Sequence, residues 1–146
     1  MSGHRARVSA LQTLVAGSPL PPIEVQRINN EFEEVFQAGR VRRIPRRLLL
    51  QVLHSTRALD STLAGLIVLS GAAAPKSLGN ALTSLKKTGL NGHKLAEPLR
   101  QLYQRDIVDR RNTYMHGAGT FPASTAEIAQ LLDDMQSCCA DVLLLW

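Results

Sequence analysis

The chain is poor in the residues that build metal centres and covalent frameworks. It has two cysteines in 146 residues, and they are adjacent, at Cys138 and Cys139. Neighbours on one helix project in different directions, so this pair cannot form an ordinary disulfide. No zinc-binding set is available either, and a reducing cytoplasm is the compartment expected. Carboxylates do not cluster in a way that would hold a metal, so neither metal nor cofactor is expected. Long apolar runs are also missing. The most apolar window, Ala58 to Ala74, contains Asp60 and is too short to span a bilayer, so no membrane partner is expected. No continuous apolar run follows Arg5 and Arg7, so the N-terminal segment does not read as a signal peptide. The chain shows no convincing strand, repeat or internal linker.

What is present suits one folded domain. The length allows a single core of useful size, and 45% of residues are apolar, enough to drive folding. Lys and Arg number 17 against 12 Asp and Glu, for a net charge of +5. Arginine supplies 13 of those cations. Guanidinium pairs with phosphate through two bonds at once, so this balance points to a polyanionic partner. Solubility alone is an equally weighted reading of the charge.

Residues 1–22 are weakly patterned. Leu11, Leu14 and Val15 make one helical turn before Gly17, Pro19, Pro21 and Pro22 interrupt it, which predicts a flexible or loosely docked arm. From residue 23 to 146 the periodicity is helical. Ile23 to Ala38 repeats apolar residues at three- and four-residue steps through Val25, Ile28, Phe32, Val35 and Phe36. Pro45 to Ala72 forms the longest pattern, with a stripe from Leu49 and Val52 to Leu66 and Ile67. His54 lies inside it, where a structural role outweighs a catalytic one. Ser77 to Lys87 is a short helix, and Leu95 to His116 a longer one, regular from Glu97 or Pro98. Ser124-Thr125-Ala126-Glu127 reads as a capping box for a last helix running nearly to Trp146, with both cysteines as small core residues. These segments predict an all-α bundle of four to five helices.

Two stretches stand apart from this core pattern. Arg40, Arg42, Arg43, Arg46 and Arg47 fall within eight residues at a helix start, where cations oppose the helix dipole. They serve either to pair with the glutamates of the preceding helix, the favoured reading, or to contact nucleic-acid phosphate. The second stretch is Arg110-Arg111-Asn112-Thr113-Tyr114-Met115-His116-Gly117, which closes a helix at glycine. Asn112 and His116 are four apart and share a face, whereas Arg111 leaves about 140° from His116 and must swing round to join them. Arg105, Asp109, Asn112 and His116 are spaced as one polar stripe. Imidazole, guanidinium and amide round one point suit phosphoryl chemistry on RNA. The imidazole exchanges a proton with the 2′-hydroxyl or the leaving oxygen, and the guanidinium stabilises the charge that develops on phosphorus.

The run Arg111-Asn112-Thr113-Tyr114-Met115-His116 resembles the signature of HEPN domains, in which arginine and a polar residue precede histidine by a short spacer. The helical order from about Ile23 to Trp146 resembles that all-α family as well. The resemblance implies a metal-independent endoribonuclease of a toxin or antiviral-defence type, cleaving RNA at a site shared across a two-fold homodimer. It gives catalytic roles to Arg111 and His116, with Asn112 orienting them or the phosphate. Arg42, Arg43, Arg46, Arg47, Arg105 and Arg110 are then candidate RNA contacts. The resemblance also implies an antitoxin or defence-complex protein as a partner. One toxin branch carries a tyrosine two residues after the histidine, which its antitoxin modifies; Ala118 stands there in this chain, and that modification is not expected. The alternative function is a non-catalytic HEPN docking or nucleic-acid-binding subunit.

Overall fold

The computed structural model describes residues 2–146; residue 1 of the expected N-terminal arm lies outside them. In chain order the elements are α1 (Ser2–Ala16), α2 (Pro22–Ala38), α3 (Ile44–Leu69), α4 (Leu78–Lys87), α5 (Glu97–Tyr103), a π-helical turn (Gln104–Asp109), α6 (Arg110–His116) and α7 (Thr125–Leu143). No strand occurs among the described residues. α5, the π turn and α6 run on without interruption, so the described residues form six helical rods, more than the four to five expected because residues 2–16 are also helical.

α3 is the spine. It rises about 39 Å over its 26 residues and packs against α2, α4, α6 and α7. Leu48, Val52, Ala58, Leu59, Leu63, Leu66 and Ile67 are all buried on it. So are Ser55, Thr56 and Thr62, whose hydroxyls would be costly to bury unpaired. Each donates to a carbonyl one turn back, to Gln51 O at 2.6 Å, Val52 O at 2.7 Å and Ala58 O at 2.8 Å. α2 lies along this spine with Ile28, Phe32, Val35 and Ala38 buried.

Short-range chemistry sets the helix ends. Ser77 Oγ caps α4 by accepting from Asn80 N at 3.1 Å. The predicted capping box forms in shifted form at α7: Ser124 Oγ accepts from Glu127 N at 3.4 Å, and Glu127 Oε2 accepts from Ala123 N, one residue before the cap, at 2.7 Å. Beyond α4, Gly89 has φ +73°, and a Cβ there would stand 2.0 Å from the His93 carbonyl oxygen. Only glycine permits that tight return. Cys138 and Cys139 are buried in α7, where desolvation pushes both thiols up, that of Cys139 to about 12.

The N-terminal segment departs from the expected arm. α1 is docked against α7 and α2, with Val8, Leu11 and Val15 buried. Arg7 Nε donates to Asp133 Oδ1 at 2.8 Å, and the Arg5 guanidinium lies 4.6 Å from the centre of the Phe36 ring. The α1 stripe is narrow, so the segment alone carries a weak signal; the faces of α7 and α2 supply its order. Leu11 is 1% exposed, so Leu11→Ala should lower unfolding free energy by about 2–5 kcal/mol in chemical denaturation. A loss within about 0.5 kcal/mol, the range for surface changes, would instead return this segment to a loosely docked arm.

Candidate functional site

The helix that carries Arg111, Asn112 and His116 is not regular. Its π turn adds a residue to the backbone repeat, a feature that recurs at functional sites. Residues five apart then face each other, and Gln104 Nε2 donates to Asp109 Oδ1 at 2.9 Å. The expected stripe of Arg105, Asp109, Asn112 and His116 is therefore broken. Arg105 turns to Asp106 at 2.7 Å, and Asp109 belongs to Gln104. Asn112 and His116 keep their four-residue spacing on α6. Tyr103, just before the π turn, donates to Asp141 and ties this rod to α7. Burial, followed by that carboxylate, raises its phenol well above the ordinary range.

Arg111 and Asn112 are held together. Arg111 Nη1 donates to Asn112 Oδ1 at 3.1 Å. The arginine then faces inward, onto a cavity of about 160 Å³ between α3, α6 and the start of α4. Thr56, Arg57 and Asp60 of α3, with Lys76, Ser77 and Leu78, line the rest of its wall. Burial raises the Asp60 carboxyl above its ordinary value, and the Arg111 charge offsets only part of that rise. His116 does not line that cavity. It is the last residue of α6, exposed, with no side-chain hydrogen bond to another described residue. Gly117 follows it, where a Cβ would come within 2.6 Å of the Thr113 carbonyl oxygen. Within one chain, then, Arg111 and Asn112 are brought together and His116 is not joined to them.

The basic run at the start of α3 is free of the glutamates. None of Arg40, Arg42, Arg43, Arg46 or Arg47 forms an ion pair with a described carboxylate. Glu31 instead accepts from His54 Nδ1 and Arg57 Nη2, each at 2.9 Å, while Glu33 and Glu34 face solvent. This corrects the favoured expectation for the run, because of Glu31, Glu33 and Glu34 only Glu31 turns toward α3, and it is already occupied. It also accounts for His54 structurally. Arg42, Arg43 and Arg46 are exposed; Arg47 is half-buried and donates from Nε to Val41 O at 2.8 Å. Of the other candidate contacts, Arg105 holds Asp106, and Arg110 lies within electrostatic reach of Asp106 and Asp134. Arg105 is an exposed pair and is weakly committed to its partner.

Arg57, Asp60 and Lys76 did not stand out in the sequence. Arg57 and Asp60 look like ordinary polar positions of an amphipathic helix, and Lys76 like a loop cation. Only the return of the chain after Gly71 sets them beside Arg111. No protein-family model, curated protein or solved structure matches this chain.

The Asp60 environment has a pH signature. Its carboxyl is raised above the ordinary 3.8, so the folded chain binds that proton more tightly than the unfolded chain does. The associated stability is fully present below the ordinary value and is lost as pH rises through the raised one. Asp60→Asn removes this loss. In thermal melts the variant should exceed the wild type at neutral pH, and the gap should close toward about pH 3. A variant less stable at neutral pH would show that attraction to Arg111 outweighs burial.

Proposed function

We propose that the protein is a metal-independent endoribonuclease of the HEPN type, acting as a two-fold homodimer in a toxin or antiviral-defence role. The observation that carries this reading is the division of labour along α6. Arg111, tied to Asn112, faces a cation-lined cavity, while His116 stands exposed and unpartnered at the helix end. An exposed imidazole with no side-chain partner is open to a substrate hydroxyl. In the cleavage step it takes the proton of a ribose 2′-hydroxyl. The resulting oxygen attacks the adjacent phosphorus, and the bond to the 5′-oxygen breaks as that oxygen is protonated. Arg111 stabilises the charge on the non-bridging oxygens, and Asn112 fixes the guanidinium. One protomer offers one imidazole, whereas the step uses a base and an acid. A two-fold axis beside the end of α6 supplies the second and brings a second Arg111 to the same phosphate. The unpaired run of Arg42, Arg43 and Arg46 is suited to hold the strand electrostatically.

A second reading is a docking or RNA-binding subunit without catalysis. It is favoured by one feature: Arg111 lines the cavity beside α3 and makes no hydrogen bond to His116.

The purified protein should cut RNA in EDTA, leaving 2′,3′-cyclic phosphate and 5′-hydroxyl ends, and should spare DNA, which lacks the attacking hydroxyl. His116→Ala should lower the rate about 100-fold or more. Cleavage only with Mg²⁺, or equal cutting of DNA, would overturn the proposal; RNA bound but never cut would favour the second reading. Mixing wild type with excess His116→Ala under subunit exchange should depress activity well below the wild-type fraction. Activity linear in that fraction would rule out the shared site.

A further inference from the structure

We propose that the cavity between α3, α6 and the start of α4 is a phosphate-binding subsite that seats a backbone phosphate of a nucleic-acid strand. The subsite shares Arg111 with the proposed nuclease centre, and in that respect rests on that reading.

Three cations from three separate segments meet there: Arg57 from α3, Lys76 from the loop before α4, and Arg111 from α6. A solvated helix face would not produce this convergence. One carboxylate, Asp60, lines the same cavity and Glu31 pairs with Arg57 from outside it, so the three cations still exceed their carboxylates by one. Glu31, outside the cavity, holds Arg57 at 2.9 Å and Asn112 holds Arg111 at 3.1 Å, so both guanidinium groups are oriented. Lys76 makes no ion pair with a described carboxylate. Like charges gathered at a partly enclosed site repel one another, and an anion among them relieves that repulsion. Guanidinium forks match phosphate oxygens, and the ammonium adds a point charge. Ser77, which caps α4, sets the positive end of that helix on the rim.

A strand fits the surroundings better than an isolated small anion. Arg46 and Arg57 are eleven residues apart on α3, which places them within about 20° of one face and about 16 Å apart along the axis. The exposed cations at the start of α3 thus continue along that helix toward the cavity. Asp60 opposes the anion, so its removal should strengthen binding.

The test uses the full chain and a 2′-O-methyl oligoribonucleotide, which cannot be cut, with affinity followed by fluorescence anisotropy across a salt series. Lys76→Gln changes an exposed loop residue, and thermal melts would establish that it is folded. It should weaken binding several-fold and flatten the slope of log K against log salt by about 0.7, the value for one single-strand phosphate contact. Asp60→Asn should tighten binding. Unchanged affinity and slope in both folded variants would overturn the subsite. Inorganic phosphate tests the source of the ligand. If it stabilises the wild type but not Lys76→Gln while the oligonucleotide slope stays unchanged, the ligand is a free ion and the strand assignment is overturned. The two proposals fail separately. RNA that is never cut, with the stated shifts in slope, removes the nuclease and leaves the subsite. Cleavage with unchanged slopes does the reverse.

Discussion

The burial of α3 on several sides is the constraint on which the rest of the molecule depends. A helix packed by α2, α4, α6 and α7 buries much of its surface, so the hydroxyls on its buried positions must find partners inside the helix. Ser55, Thr56 and Thr62 do so through carbonyls one turn back. That arrangement leaves the surface of α3 apolar enough for neighbours to pack closely. It also fixes where the few charged groups along the spine emerge. Arg57 and Asp60 lie at the seam where α3 meets α6 and the chain entering α4.

Charge at that seam is set by competition between burial and pairing. Asp60 is near enough to feel Arg111, yet desolvation outweighs the attraction and its carboxyl is raised. Glu31 bridges His54 and Arg57, which removes it from reach of the arginines that begin α3. Those arginines stay exposed at a helix N-terminus, an unfavourable place for cations by the helix dipole alone. Their surplus positive charge has a local cause: Glu31 is held by His54 and Arg57, and Arg42, Arg43 and Arg46 form no ion pair with a described carboxylate.

The π turn gives α6 its particular aim. An extra residue in the backbone repeat detaches α6 from the register of α5, so that Gln104 pairs with Asp109 and Arg111 reaches the α3 seam. The end of α6 then delivers His116 to solvent, where Gly117 lets the chain turn close to Thr113. A single protomer therefore presents its guanidinium and its imidazole to different surroundings.

Periodicity and end signals were enough to read most of the helices. The apolar spacing of α2, α3, α4 and α7 is wide and regular, and Ser77, Ser124 and Gly89 mark ends by chemistry that acts within a few residues. The Arg111-Asn112-His116 stretch was legible for the same reason, since its spacing and terminal glycine are local. Three features were not. The order of α1 rests on a narrow stripe whose burial is supplied by α7 and α2. The π turn changes a backbone repeat to which side-chain periodicity is nearly blind. The partners of Arg57, Asp60, Lys76 and Arg111 are set by how the loop after Gly71 returns the chain to α3. The sequence by itself determined that the segments of α2, α3, α4, the α5–α6 rod and α7 are helical and which residues carry charge, because those follow from neighbours along the chain. Which charges meet and which remain free was decided only by tertiary structure, because packing brings together groups far apart in sequence and burial then sets the strength of their interaction.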